Sequence, residues 1–240
     1  MRVVAIVQAR MGSTRLPGKV LMDLAGKPMA AHVLERAGRI PGVAEVVLAT
    51  SLNREDDALA ERFGSSYRVH RGPAEDVLER FLGAAQASRA DAVVRVTADC
   101  PMLCPSISGR VVALLQAGGC DYVSNILHRT YPRGLDTECL TREALERAGR
   151  EGTLPHHREH VTTYVWGSPQ LFRLAGVIDG LDHSAWRWTV DTGPDLLLAR
   201  ELHQALTPGF DYPELLALLA RRPQLAAINA DVEQKPILAV

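Results

Sequence analysis

Three cations stand close together near the start of the chain, Arg10, Arg15 and Lys19, in the stretch Gln8-Ala9-Arg10-Met11-Gly12-Ser13-Thr14-Arg15-Leu16-Pro17-Gly18-Lys19, with no acid between them. Gly12 and Gly18 let the backbone approach a ligand closely and take up positive φ, so that N–H groups turn toward anionic oxygens. Positive side chains and free amides in one loop are the chemistry of a triphosphate cradle. Two acids could complete it. Asp99 ends the segment Arg95-Val96-Thr97-Ala98-Asp99, and Asp191 ends Trp188-Thr189-Val190-Asp191. Magnesium takes one or two carboxylates together with phosphate oxygens and water, and two acids at strand ends make such a pair. The competing assignment for each is a helix cap. Asp99 lies several residues too early to cap a helix starting near Pro105, whereas Asp191 or Thr192 could N-cap one starting at Pro194.

These residues need a scaffold that brings them to one place. Val3–Val7 is apolar and β-branched, too short for most helices, and reads as a buried parallel strand. Further strands are expected at Glu45–Thr50, Tyr67–Val69, Ala92–Thr97, Leu171–Leu174 and Arg187–Val190, with an extended segment over Tyr131–Leu140. Helices are expected at Pro28–Arg39, from a capping Asn53 to Phe63, at Val77–Ala85, Pro105–Ala117, Thr141–Arg150, Pro194–Leu206 and Tyr212–Arg221. Strand–helix alternation in the first half argues an α/β fold with a mostly parallel sheet, and such sheets bind ligands at the carboxyl ends of their strands.

Several classes are excluded. The loop lacks the G-x-x-x-x-G-K-[ST] spacing of an ordinary ATPase, since Gly12 and Gly18 are too far apart and Val20 follows Lys19, and it lacks G-x-G-x-x-G. With 240 residues, 47% of them hydrophobic, and a net charge of −1, the chain can bury a large core and has no general polyanion-binding field, so nucleic acid is not expected as a partner. No apolar run is long enough to span a membrane and no signal-peptide pattern opens the chain, so a cytoplasmic protein is expected. Cys100, Cys104, Cys120 and Cys139 form no C-x-x-C pair and read as reduced thiols rather than a zinc site.

The first loop, as Ala9-Arg10, Ser13 and Arg15-Leu16-Pro17-Gly18-Lys19, resembles the A-R-x-x-S-x-R-L-P-G-K signature of sugar cytidylyltransferases of the CMP-Kdo synthetase type. Arg95–Met102 and Trp188–Leu196 resemble the R-x-T-x-D-C-P and W-T-V-D-T-x-x-D-L motifs of the SpsF-like spore coat polysaccharide cytidylyltransferases. So do Tyr131–Glu138, Arg158–Thr162, Arg71-Gly72 and Asp76–Leu78. The branch usually has Pro-Glu-Asp where this chain has Gly193-Pro194-Asp195, with Asp191 intact. The similarity extends to about Leu206. It implies the nucleotide-diphospho-sugar transferase fold: three layers, a mixed but mainly parallel sheet with helices on both faces, and one domain over 1–240 in which residues 125–175 form a subsidiary sugar-side region.

By that resemblance the chain uses CTP and a small sugar, acidic or destined for a surface polysaccharide, with Mg²⁺ held by Asp99 and Asp191. The sugar hydroxyl would attack the α-phosphate and release pyrophosphate, with Arg10 and Lys19 as phosphate-holding catalytic residues. The nucleotide side would comprise Gln8, Ala9, Arg10, Gly12, Ser13, Arg15, Lys19, Arg71, Asp76, Arg80 and Arg95, the amides of Gly12 and Ser13 assisting. Asp76 and Arg80 could equally form an i,i+4 helix pair. The sugar side would draw on Arg129, Arg133, Asp136, Glu138, Arg158 and His160, an acidic sugar wanting an arginine fork. A homodimer is compatible with this reading. Two alternatives stand beside it. One is a glycosyltransferase using a preformed nucleotide-sugar, although such enzymes commonly hold their metal with D-x-D and here Cys100-Pro101 follows Asp99. The other is a non-catalytic nucleotide-binding protein.

Overall fold

A computed structural model describes residues 1–234 of the chain. Val3–Gln8 forms β1, and its side chains divide between two buried clusters: Val3, Ala5 and Val7 enter one, Val4 and Ile6 the other. Burial on both faces explains why this strand is an unbroken apolar run rather than an alternating one. After a small hairpin of β2 (Asp23–Leu24) and β3 (Lys27–Pro28), the chain continues through α1 (Met29–Gly38), β4 (Val43–Ser51), α2 (Asp57–Phe63), β5 (Arg68–Gly72), α3 (Val77–Ala87) and β6 (Ala92–Thr97). It then forms α4 (Pro105–Gln116), β7 (Tyr122–Ser124), β8 (Glu138–Thr141), α5 (Arg142–Glu151), α6 (Pro155–His160), α7 (Thr163–Trp166), β9 (Leu174–Gly176), α8 (Gly193–Ala205) and α9 (Tyr212–Arg221).

Seven strands make one sheet in the order β5-β4-β1-β6-β8-β7-β9. β5, β4, β1 and β6 run parallel, β8 lies antiparallel to both β6 and β7, and β9 pairs parallel with β7. Helices α1, α4, α8 and α9 pack into the cluster on one face, and α3, α5 and α7 into the other, which makes the three layers. Each fully buried Val, Ile or Leu in these clusters contributes roughly 1.5–3 kcal/mol. Because β1 and β6 are parallel, the loops after Gln8 and Thr97 leave the same sheet edge. β8 enters antiparallel with Glu138 opposite Arg95, so the segment running into it arrives at that edge too.

Several elements differ from expectation. Residues 187–190 form no strand: a single bridge joins Arg133 to Arg187, Trp188 N donates to the Arg133 carbonyl, and Val190 N donates to the Asp99 carbonyl. Trp188 and Val190 are buried, which produced the strand-like pattern, but their neighbours are loops and no ladder can form. The extended segment shrinks to Glu138–Thr141. Pro132 cannot donate to a ladder, and Gly134, at φ +100°, lies so close to Trp188 and Thr189 that a Cβ would come within 2.5 Å of their backbone. β5 runs on to Gly72, β9 begins at Leu174, α1 begins one residue after Pro28, and Asn53 leads into a 3-10 turn without capping it by its side chain. Among the described residues no helix is long and apolar enough to cross a membrane.

Candidate active site

The cation loop is pinned at both ends. At its start, Ala9 N continues the β1–β4 pairing by donating to the Ala49 carbonyl, and Met11 N donates to Asp56, a fully buried carboxylate that also accepts from the Ser51 amide. At its end, Gly18 N donates back to the Met11 carbonyl, and the left-handed φ of +70° that glycine permits turns the chain into a 3-10 turn, Lys19–Leu21. That turn sends Lys19 inward, and the residue is only 7% exposed.

The Lys19 ammonium donates to Asp99 Oδ2 at 2.9 Å, Asp191 Oδ1 at 2.7 Å and the Val190 carbonyl at 2.8 Å, which uses all three of its protons. Burial would lower its pKa, but the charges of Asp99 and Asp191 overcome that and hold it raised. Burial pushes Asp99 upward, and the Lys19 charge with hydrogen bonds from Thr97, Lys19 and Cys100 outweighs it, leaving the carboxyl below its usual range. The Val190 N–Asp99 O hydrogen bond, 2.8 Å, ties together the two segments that carry the acids. Asp191 does not cap the following helix. Thr192 is the N-cap of α8, and Asp195 closes the reciprocal capping box. The second Asp191 oxygen instead meets Arg15 at 2.9 Å and Arg187 at 2.6 Å. Among the described residues Asp191 thus carries three cationic partners and Asp99 one.

A cavity of about 350 Å³ opens over this cluster, a size that suits a small ligand. Gln8, Ala9, Arg10, Gly12, Ser13, Arg15, Lys19, Arg80, Asp99, His160 and Asp191 all line it, so the structure gathers most of the expected nucleotide side, both acids and one sugar-side residue around one space. Arg10 is exposed and makes no side-chain hydrogen bond or ion pair among the described residues. Arg80 turns inward at 2% exposure, donates to the Pro73 carbonyl, and among the described residues its Nε has no partner, nor has the buried Gln8 Oε1. An unsatisfied buried polar group costs about 1–3 kcal/mol, so two of them on a cavity wall favour a polar ligand. The Ser13 amide is spent within the loop on the Met11 carbonyl. Burial lowers the His160 pKa and Glu159 opposes it, so the imidazole is neutral at neutral pH.

Other expected residues lie outside the cavity lining, all but Arg133 engaged elsewhere. Asp76 N-caps α3 through Glu79 N and pairs with Arg158 at 2.7 Å, so its partner is Arg158 and not Arg80. Arg71 holds the Ser51 and Asn53 carbonyls and Asp57. Arg95 pairs with Glu138, which also accepts from the hydroxyls of Tyr122 and Thr162 and is 2% exposed. Arg129 and Asp136 form a two-pronged pair at 2.7 and 2.9 Å. Arg133 is half-buried beside Arg129 and Arg187, its guanidinium without a hydrogen bond or ion pair among the described residues. Missed from the sequence are Glu75, Thr97 and Glu159 on the cavity wall and, against Asp191, Arg187. For Arg187 the only available sign was its i,i+4 spacing to Asp191, hidden by the strand-like pattern around it.

Chemically, two hard carboxylates converge on one point beside a cationic loop. Among the described residues no group of three His, Cys, Asp or Glu side chains is arranged to hold a metal, so a cation here would take two protein oxygens and complete its shell from ligand and water.

A family model described as "Cytidylyltransferase" matches residues 4–184. The spore coat polysaccharide biosynthesis protein SpsF of Bacillus subtilis is 32% identical over 93% of this chain and 96% of its own length. A solved cytidylyltransferase from Leptospira borgpetersenii superposes with a TM-score of 0.90 at 31% identity, over 98% of this chain and 99% of that one. The structure of CMP:2-keto-3-deoxy-manno-octonic acid synthetase complexed with CTP shares the fold at a TM-score of 0.65 and 22% identity, over 86% of this chain and 100% of that one.

Proposed function

Since this chain belongs to the cytidylyltransferase family, we propose that it activates a sugar with CTP, Mg²⁺-dependently, joining the sugar hydroxyl to the α-phosphate and releasing pyrophosphate. The observation that carries this reading is the convergence of Asp99 and Asp191 on one ammonium, at 2.9 and 2.7 Å, beneath a cavity walled by the cation loop. The donor set fits magnesium. Asp99 and Asp191 would hold the ion, which when bound would neutralise charge at the α-phosphate and polarise the phosphorus.

The chain's own residues do the rest. Arg10, exposed and unpaired among the described residues, takes phosphate oxygens at the cavity mouth. Lys19 and Arg15, which pair with the acids, are delivered by the same loop and turn to the β- and γ-phosphates. There they stabilise the charge that grows on departing pyrophosphate. Gln8 and Arg80 supply an unpaired acceptor and donor on the wall for the nucleoside. His160, uncharged, offers a ring nitrogen to a sugar hydroxyl and can take up its proton. Arg133, an expected sugar-side arginine whose guanidinium makes no ion pair among the described residues, suits an acidic sugar, and the likeness to SpsF points to a surface polysaccharide as its destination. A CTP-dependent reaction of this kind suits a cytoplasmic enzyme.

The test is to incubate the purified protein with CTP, MgCl₂ and a panel of neutral and acidic sugars, reading pyrophosphate colorimetrically and CMP-sugars by mass spectrometry. Product with CTP, abolished by EDTA, supports the reading. Pyrophosphate release with UTP or GTP in preference to CTP sinks the nucleotide assignment, and EDTA-resistant turnover sinks the metal pair.

A further inference from the structure

Asp191 lies on no strand, so the sheet does not hold it as it holds the strand leading to Asp99. What holds it is a buried network drawn from two further parts of the chain. Arg187, 7% exposed, donates Nη2 to Asp191 at 2.6 Å and Nε to Asp195 Oδ1 at 3.0 Å. The other Asp195 oxygen accepts from the amides of Asp191 and Thr192, each at 3.0 Å, so one carboxylate grips the turn on which Asp191 sits. Asn229, from the segment after α9, donates to Asp195 Oδ1 at 2.8 Å and to the Arg187 carbonyl at 2.9 Å. All three network residues lie beyond residue 184, where the match to the family model ends.

The three cations on Asp191 are not equivalent. Lys19 and Arg15 belong to the cation loop, which the proposed function turns toward triphosphate. Arg187 is held from behind, its side chain by Asp195 and its carbonyl by Asn229, so it is placed to remain on Asp191 were the other two to turn away. From this geometry we infer that Arg187, oriented by Asp195 and Asn229, is a positioning residue that fixes the Asp191 carboxylate for a divalent cation and CTP. The inference rests on the proposed function. A carboxylate released by Lys19 and Arg15 with nothing behind it would rotate freely. Groups that orient a metal ligand are commonly worth about 10–100-fold in metal affinity.

The test uses the full chain and Mn²⁺ as the probe, its binding in the presence of CTP followed by electron paramagnetic resonance. Arg187→Lys keeps the charge but loses the two-armed geometry, and should weaken Mn²⁺ binding about 10- to 100-fold. Asn229→Ala leaves every charge in place and should weaken it several-fold. In both, CTP affinity in EDTA should stay within about twofold, and kcat should fall more than KM for CTP. A merely structural role would lower the melting temperature without moving the Mn²⁺ affinity of folded protein. Unchanged Mn²⁺ affinity in folded Arg187→Lys overturns the inference; should that variant fail to fold, unchanged affinity in Asn229→Ala does so. Asp191→Ala separates the two levels. Loss of Mn²⁺ binding there, with Arg187→Lys unaffected, sinks the positioning role alone, and retention of binding sinks the carboxylate pair and the inference together.

Discussion

Replacing Lys19 by methionine keeps the stem of the side chain and removes one positive charge from between two carboxylates. With the ammonium gone, Asp99 and Asp191 face each other across the space it filled, and at a separation of about 5 Å and an effective dielectric of about 20 their repulsion is about 3 kcal/mol. Arg15 and Arg187 remain on Asp191 and offset part of this. Asp99 has no other cationic partner among the described residues, but its side chain is 26% exposed and water can reach it. A net loss of about 2 kcal/mol follows, below the 3–5 kcal/mol typical of breaking a fully buried pair, and at about 2–4 °C per kcal/mol it lowers the melting temperature by about 4–8 °C. The sharper expectation concerns magnesium. In the unmodified protein without nucleotide, Lys19 already fills the position between the acids, so millimolar Mg²⁺ should barely shift the melting temperature. In Lys19→Met the position is open, and a cation that binds only the folded state should restore several degrees. Scanning calorimetry of both proteins with and without MgCl₂ decides it. Equal Mg²⁺ shifts in the two, or an unchanged melting temperature in the variant, would refute the argument that ammonium and metal share one position.

Asp191→Asn should cut pyrophosphate release by orders of magnitude while the circular dichroism spectrum stays unchanged, because Thr192 and Asp195 cap α8 without it; near-normal turnover would contradict this. Arg133→Ala should raise KM for an acidic sugar about tenfold or more and leave KM for CTP unmoved, as steady-state kinetics would show. Burial pushes the His203 imidazole down to about 3, with His32 and Arg36 adding to the effect. The unfolded chain therefore takes up this proton first, and stability falls as pH drops from about 6.5 toward 3, by up to about 1.4 kcal/mol per pH unit. His203→Leu should gain on the unmodified protein across that window in urea melts, and a constant difference between the two at all pH values would count against the assignment.

What the sequence made legible was whatever short-range pattern controls. β1 announced itself because both its faces are buried, the cation loop because its charges are neighbours in the chain, and Asp99 because an acid after an apolar strand has few other tasks. Charge pairing across long separations left no trace. Arg158 and Asp76 meet across 82 positions, and Arg95 and Glu138 across 43. Nothing local distinguished these residues, which brace the walls, from those that face the cavity. The i,i+4 rule suggested Asp76 with Arg80, but Asp76 is bent over the first turn of α3 as its cap while Arg80 points inward from the following turn. Trp188 and Val190 alternate as a strand would because the core demands apolar groups there, whether or not a partner strand exists.

The single hydrogen bond from Val190 N to the Asp99 carbonyl bears on how the protein is made. Asp99 leaves the ribosome early, at the end of a strand that can already pair with β1, whereas Asp191 and the Arg187–Asp195–Asn229 brace follow only after every strand of the sheet has been synthesised. During translation at about 5–20 residues per second, the nascent chain spends several seconds with a sheet and a cation loop but only half of its acid pair. A chain cut short within that interval carries the cation loop and Asp99 but lacks Asp191 and the residues that brace it. If the two acids act as the proposed pair, the order of the residues alone would withhold turnover from such a chain.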